Sequence, residues 1–567
     1  MDQLSDDRDR RRPRLSAASP TGLLASARWR GALAVLVGAL PALAFPAPSL
    51  WWFAYVALVP WMLLARSAGT GRRAALDGWL GGLGFMVAVH HWLLPSLHVF
   101  TVLIAALLGL LWAPWGWLVR RLLGGVASPG RTAAALVVLP SGWLMVELVR
   151  SWEGLGGPWG LLGSSQWQVG PALRLASVGG VWLVSALIVI LNTGITVLVV
   201  AVAARRPWTS GTARTPGTSR TAVALTIPAT AGLVAVAAVT TSAWAWAPRP
   251  EPAGRMRVAV VQPGVIDGVG GADKRFAREE ALTRGLAGRD LDLVVWGESS
   301  VGYDLAERPD VARRIAALSR EVGADILVNV DARRSDESGI FKSSVLVGPQ
   351  GPTGDRYDKM RLVPFGEYVP ARSLLGWATS VGKAAGEDRR RGERPVLMDV
   401  GDGLKVGPLV CFESAFPDMS RHLTREGAQL LLAQSSTSTF QSSWAPEQHA
   451  SLAALRAAET GRPMVHATLT GVSAVYGADG ERVGAPLGTS ASSTSTYDIP
   501  LAKGVTPYVR LGDWPVHAAL AVLAVLCATL GVRSLRGPAK GRFRRPAPEP
   551  HGPRARTAHG SRAHPGH

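Results

Sequence analysis

The first half of the chain is patterned as long apolar runs, each closed by charged or Pro/Gly-rich residues. Seven such runs occupy 32–47, 50–65, 74–94, 99–119, 133–149, 177–204 and 222–246, and an eighth, 514–532, follows a long polar stretch. A helix needs about 20 mostly apolar residues to cross a bilayer, with about 17 as a lower limit. The runs therefore predict eight spans. The first two are the shortest, and a single hairpin broken around Pro46 and Pro48 is the competing reading for them.

Between 251 and 513 the period changes. Short β-rich runs at 256–262, 291–296, 326–330, 344–347, 404–411 and 429–433 alternate with stretches of helical spacing at 273–287, 309–322 and 447–459. Strands alternating with helices predict an α/β domain with a largely parallel or mixed sheet, large enough to bury its own core, with function at strand ends.

Charge supports this division. The 567 residues carry 60 Lys+Arg against 41 Asp+Glu, a formal net charge of +19. Such basicity fits nucleic acid, anionic lipid or membrane topology, and its distribution decides. Seven arginines precede the first run, three lie in the second connecting segment, three in the fourth, four in the sixth, and nine Lys+Arg follow residue 532. The first and third connections, around 46–50 and 95–98, have none. With eight spans every basic segment falls on one side, the cytoplasmic one by the positive-inside rule. Those segments hold 26 of the 60 basic residues and only five of the 41 acids, so the basicity records topology and implies no nucleic acid. The predicted organisation is a basic cytoplasmic segment 1–31, expected to be disordered, and a membrane domain 32–246 of seven spans. An extracytoplasmic domain follows at 255–505, then an eighth span 514–532 and a basic cytoplasmic tail 533–567, also expected to be disordered. The N-terminal stretch is too long and too charged for a simple cleavable signal.

Two cysteines, Cys411 and Cys527, lie in different kinds of segment and exclude a disulfide framework. Cys527 falls inside the last span, where packing is its expected role. Cys411 closes an apolar strand and is followed by Phe412-Glu413-Ser414. Glu298 closes another strand within Trp296-Gly297-Glu298-Ser299-Ser300, where a buried acid needs a partner. Lys359 lies in the segment Tyr357-Asp358-Lys359-Met360-Arg361-Leu362-Val363-Pro364-Phe365-Gly366-Glu367-Tyr368-Val369-Pro370, which fits neither a simple helix nor a simple strand.

A strand-end Glu, a Lys in Y-x-K-x-x-L-V-P-F-G-E-Y-V-P and a Cys in V-C-F-E resemble the Glu-Lys-Cys triad of the nitrilase superfamily. With the spans around them, they resemble the bacterial apolipoprotein N-acyltransferases. The likeness extends through Gly157-Pro158-Trp159 to Gln166, Pro446-Glu447-Gln448-His449, the run from Arg456 to Pro463, and Gly471-Val472-Ser473-Ala474. It implies a membrane helical bundle carrying an extracytoplasmic, nitrilase-like αββα sandwich in the plasma membrane. It implies Cys411 as nucleophile, Glu298 as general base in a pocket that raises its pKa, and Lys359 stabilising the oxyanion with help from the Phe412 amide. Lys359 would also lower the thiol's pKa. Glu367 would orient Lys359 and Glu413 would bind loop amides. The implied reaction needs no cofactor or metal. It takes an acyl chain from a phospholipid, holds it as a thioester, and passes it to the α-amino group of a diacylglyceryl-modified apolipoprotein. The chain departs from the family pattern at Ser435-Ser436-Thr437-Ser438-Thr439-Phe440, at Leu469-Thr470 and at Phe412, which bears on substrate fit.

An alternative keeps the triad but makes the protein a membrane-anchored amidase acting on small amides. A transporter or scaffold is disfavoured by the scarcity of charge within the runs. His90-His91 lack a partner at metal-ligand spacing and are read as interfacial. Most tryptophans, including Trp51, Trp52, Trp112, Trp115 and Trp117, are read as interfacial belts. Glu147 and Arg150 are read first as an ion pair and second as the border of a lipid entry slot.

Overall fold

The computed structural model describes residues 26–125, 128–205, 217–266, 268, 270–376, 386–401 and 403–535. The readings placed on 1–25 and 536–567 lie outside the described residues.

The apolar runs fold as helices. They are α1 (Ala27–Ala39), α2 (Val59–Arg66), α3 (Gly71–Val89), α4 (Leu94–Leu97), α5 (Val99–Gly109), α6 (Ala113–Leu123), α7 (Pro129–Arg150), α8 (Gly170–Arg205) and α9 (Gly217–Trp246). Six described helical stretches are long and apolar enough to cross a membrane: Ala27–Ala44, Val99–Leu123, Pro129–Arg150, Gly170–Ala204, Ala224–Trp246 and Trp514–Val532. The bent pair Gly71–Val89 and His91–Leu97, kinked by 63°, makes a seventh if it is one span. The run at 50–65 is shorter, a 3₁₀ helix Trp51–Tyr55 followed by α2.

Small residues let these helices touch. A Cβ on Gly38 would lie 2.0 Å from the Gly81 carbonyl oxygen, and one on Gly84 would lie 2.0 Å from that of Val35. Backbone approach of this kind is how helices associate where lipid removes the hydrophobic drive. Trp112 and Trp115 are not at an interface. They are buried with Trp61 and Trp143 in an aromatic cluster whose rings stack edge-on, the Trp61–Trp115 centroids 5.1 Å apart. Trp51, Trp52 and Trp117 are exposed.

The strands form two six-stranded sheets. The first sheet has the order β12-β1-β2-β3-β4-β5, and the second β11-β10-β9-β8-β7-β6. Their residues are β1 Glu251–Gln262, β2 Leu293–Trp296, β3 Asp325–Arg333, β4 Ile340–Gly348, β5 Gly351–Asp358, β6 Met398–Val400, β7 Leu404–Val410, β8 Leu430–Ser435, β9 Met464–Thr468, β10 Ser473–Tyr476, β11 Arg482–Leu487 and β12 Ser493–Lys503. In each sheet three inner strands run parallel, β1-β2-β3 and β7-β8-β9, flanked by antiparallel neighbours. Alternation along β1 explains the layering. Val258 and Val260 meet Val406, Leu432 and Val465 between the sheets, while Ala259 and Val261 face α10 (Gly271–Arg284) and α11 (Pro309–Val322). On α11, Val311, Ile315, Leu318 and Val322 form the buried stripe. The outer face of the second sheet packs under helices at Pro417–Arg425 and Ala445–Thr460, completing the αββα sandwich.

That last helix layer also joins the membrane bundle through one continuous apolar core. The joint has a polar pin. Helix α8 is broken at Gly179 and Gly180, the latter at φ 67°, and the freed Val181 N–H donates to Glu459 Oε1 at 2.8 Å. Burial raises the Glu459 carboxyl to about 7, with Arg456 opposing.

Candidate active site

β7 stops at Val410, and Cys411 takes φ 51° as it opens the 3₁₀ turn Cys411–Ala415. A left-handed non-glycine residue costs about 1–2 kcal/mol, so the turn must be held by its surroundings. Glu413 holds it. Its Oε2 accepts from the Val410 N–H at 2.8 Å, and its Oε1 accepts from the Tyr357 hydroxyl at 2.8 Å and from the N–H groups of Met360 and Arg361 at 2.7 and 3.0 Å. One buried carboxylate thus fastens the cysteine turn to the segment bearing Lys359. All four partners are donors, which suits an ionised, acceptor-only group. In Glu413→Gln an amide NH₂ must face at least one of those donors. A loss of about 2 kcal/mol in stability is expected, read as a lower midpoint of thermal unfolding.

Glu298 stands one glycine beyond β2, and Ser299 after it also has a positive φ of 56°. The Glu298 N–H donates to the Ser435 carbonyl at 3.2 Å, so the ends of β2 and β8 meet across the two sheets. Lys359, fully buried, donates from Nζ to Glu298 Oε1 at 3.2 Å and to Glu367 Oε1 at 2.7 Å. Glu367 Oε2 accepts from the Val363 N–H at 2.8 Å, which fixes the carboxylate to its own loop.

The structure corrects the electrostatics expected of Glu298. Burial does raise its pKa, but Lys342 and then Lys359 outweigh burial and hold it at about 2. Burial and the charge of Glu298 push the Cys411 thiol up to about 12, with Lys359 pulling the other way. Lys359 is itself driven well above the usual ammonium range, because Glu298 and Glu367 overcome its desolvation. The resting site is therefore a neutral thiol beside the ionised Glu298 and two ammonium groups, Lys342 and Lys359.

Sequence reasoning missed Lys342 altogether. It lies on β4, where the strand was expected to begin only at Ser344, and its Nζ donates to Glu298 Oε1 at 2.9 Å. It also left His449 without a role. Its Nε2 lies 3.1 Å from the Cys411 carbonyl oxygen and 3.0 Å from Ser414 Oγ, and burial lowers the imidazole to about 4, so it is neutral at pH 7. Arg361 is turned outward, pairing with Asp418 at 2.5 Å over the Phe416 ring. Glu147 and Arg150 form no ion pair with each other among the described residues. Glu147 accepts from the Trp143 indole and the Leu162 N–H, and Arg150 donates to the carbonyls of Trp159 and Gly160.

Cys411 and Phe412 lie at the wall of a cavity of about 360 Å³ shared with the membrane bundle. Leu97, Ile104, Leu107 and Leu108 line it from α4 and α5, and Val363, Pro364 and Phe365 from the loop after Lys359. Ser436, Thr437 and Phe440, three of the positions where the chain departs from the family pattern, line it too. Arg150 borders it, and Glu147 is not among its lining residues. Leu107 is 71% exposed, so the cavity reaches the outer flank of the helices.

Comparison with known proteins accords with both halves of the chain. Residues 37–194 match the family model for the apolipoprotein N-acyltransferase N-terminal domain, and residues 257–505 match that for carbon-nitrogen hydrolase. An apolipoprotein N-acyltransferase of Geobacter metallireducens is 32% identical over 518 residues, covering 87% of this chain and 94% of the relative. One of Pseudomonas aeruginosa is 30% identical over 527 residues, covering 90% and 97%. Among solved structures, a variant of an amidase from Nesterenkonia AN1, of the nitrilase superfamily, aligns with 48% of this chain and 98% of its own at 19% identity and a TM-score of 0.33. With a membrane helical bundle, a nitrilase-like sandwich and relatives matched over nearly their whole length, the chain belongs to the apolipoprotein N-acyltransferase family.

Proposed function

We propose that this membrane protein transfers an acyl chain from a phospholipid, through a thioester on Cys411, to the α-amino group of a diacylglyceryl-modified lipoprotein N-terminus. The observation that carries the proposal is the apolar cavity running from the flank of α5 to Cys411. A small amide needs no such passage, whereas a phospholipid must bring its ester to the thiol without leaving an apolar environment.

The residues fit the chemistry in two steps. With the thiol near 12 and Glu298 near 2, free thiolate is scarce, so the proton leaves Sγ for Glu298 as the C–S bond forms. The Lys359 ammonium meets the developing oxyanion. Collapse breaks the ester C–O bond, and Glu298 returns the proton to the departing lysophospholipid hydroxyl. The acceptor amine then attacks the thioester, gives up a proton through Glu298 to the leaving sulfur, and departs as an amide. In the proposed topology both termini are cytoplasmic and 255–505 is extracytoplasmic, where the lipoprotein acceptor resides.

The test is mass spectrometry of the Cys411 peptide after exposure of the protein, in lipid nanodiscs, to phosphatidylethanolamine with a labelled acyl chain. The expected result is one acyl group that neutral hydroxylamine releases, and that a diacylglyceryl-cysteine lipopeptide removes as an N-acyl product. A protein that stays unacylated, or that instead releases ammonia rapidly from simple amides, overturns the proposal.

A further inference from the structure

Lys342 is a second ammonium in direct contact with the general base, and the role proposed for Glu298 has no place for it unless it does something Lys359 does not. Lys342 stands on β4 directly across from Asp331 on β3 in the antiparallel register, on the side of the strand that carries Ser344 and Leu346 between the sheets. Its side chain is only 12% exposed. Nζ lies 2.9 Å from Glu298 Oε1, 3.3 Å from Ser299 Oγ, 3.3 Å from Glu367 Oε1 and 3.6 Å from Asp331 Oδ2.

The groups facing one another here come from five segments. Glu298 lies beyond β2, Asp331 is on β3, Lys342 on β4, Lys359 and Glu367 are in the loop after β5, and Arg389 reaches Asp331 at 3.3 Å. The Cys411 thiol and the neutral His449 lie on the other side, within reach of the same field. Three carboxylates are thus balanced by three cations. Asp331 has Arg389, so Lys342 is spent on the pair Glu298 and Glu367. Without it those two carboxylates would share the single ammonium of Lys359, and like charges sharing one site force a proton onto one of them. A base already carrying a proton cannot take another.

We infer that Lys342 is a positioning residue for acyl transfer: by binding Oε1 of Glu298 together with Lys359, it supplies the second ammonium that the adjoining carboxylates of Glu298 and Glu367 require and leaves Glu298 Oε2 for the Cys411 proton. The inference rests on the function proposed above. Two effects support it. Lys342 depresses Glu298 more than Lys359 does, and both known contacts of the Glu298 carboxylate fall on Oε1. The sign follows. Removing Lys342 raises the pKa of Glu298, so the fraction of unprotonated base falls at the acid end first.

The experiment compares wild type, Lys342→Gln and Lys342→Arg, full length in phosphatidylethanolamine nanodiscs, by the rate of Cys411 acylation from about pH 2 to about pH 9, a range that takes in the Glu298 carboxyl. In Lys342→Gln the acid limb is expected to move up by about one to three pH units, with an unchanged KM for lipid. Lys342→Arg is expected to bring the limb back. The limb's position does not depend on how much of a variant folds. An unmoved limb in Lys342→Gln, or a loss confined to lipid KM, overturns the inference. So does a wild-type limb at pH 6 or above, which needs no variant. Infrared titration separates failure here from failure of acyl transfer, since it needs no reaction. A protonated-carboxyl band that appears about one to three pH units higher in Lys342→Gln than in the wild type, and vanishes in Lys342→Gln/Glu298→Gln, supports the role of Lys342 even if no lipid reacts. Its absence overturns it.

Discussion

Cys411→Ala protein exposed to phospholipid will carry no acyl group, a loss of at least about 1,000-fold against the wild type, while its unfolding midpoint barely moves. The two halves of this expectation have separate causes. The proposed reaction needs a sulfur at the cavity wall, and among the described residues Cys411 is the cysteine that lines it. The fold does not need the sulfur. The turn is pinned by Glu413 and by the Ser414 hydroxyl, which donates to the Cys411 carbonyl at 2.9 Å, and the four charged groups beside the thiol bind one another. Alanine also suffers no more than cysteine at φ 51°. Cys411→Ser is expected to fail almost as completely. A hydroxyl in the site that lifts the thiol to about 12 would be harder still to deprotonate, and Glu298, near 2, is too weak a base to compensate. Intact-protein mass and thermal unfolding of the same samples read both halves. Acylation of Cys411→Ala would place the nucleophile elsewhere.

What the sequence made legible follows from which signals are local. Inner strands such as 256–262 and 404–411 are continuous apolar runs because they are buried on both faces, and the structure extends or trims them by only a few residues. Cys411 itself proved to be the first residue of the turn, not the last of the strand. β5, Gly351–Asp358, went unseen because Gly-Pro-Thr-Gly reads as a turn, and an edge strand with a half-exposed face has little apolar pattern to show. β9, Met464–Thr468, and β10, Ser473–Tyr476, also went unseen. Glu298, Lys359 and Cys411 stood out because each interrupts or ends an apolar or aromatic motif. Lys342 does so too, but Phe341-Lys342-Ser343-Ser344 carries no periodic signal, and its partners are far along the chain. Trp112 and Trp115 misled for a related reason. Amphipathic tryptophans and packed ones have the same letters, and only the small glycines opposite them, such as Gly78 and Gly82, reveal that the helices close in.

Gly297→Ala is expected to be among the most damaging single methyl groups the protein can receive. A Cβ built on Gly297 lies 1.9 Å from the Leu469 amide nitrogen and 2.5 Å from both Leu469 Cα and the Thr468 carbonyl carbon. These are backbone atoms, so no side chain can rotate away. The neighbourhood is also the seam of the sandwich. The Ser435 carbonyl accepts from Glu298 N–H at 3.2 Å and from Leu469 N–H at 2.9 Å, and thereby ties β2, β8 and β9 together at their ends. A methyl group there must push β2 away from β9 and stretch both bonds. Overpacking a close-packed interior costs about 1–3 kcal/mol, and a contact this short with immovable atoms belongs at or above the top of that range. The chemistry suffers separately, because Glu298 is the next residue. A displacement of about 1 Å in a reacting group lowers rate by about 100-fold, and here the shift also lengthens the contacts with Lys342 and Lys359. Gly302→Ala is the matched control. It lies five residues on in the same connection, with Ala272 Cβ as its nearest neighbour at 3.8 Å, and should change neither stability nor acylation. Unfolding midpoints and Cys411 acylation rates for the two variants decide the matter: if Gly297→Ala behaves like Gly302→Ala, the sheets do not meet at Gly297 and the seam that aims Glu298 at the thiol lies elsewhere.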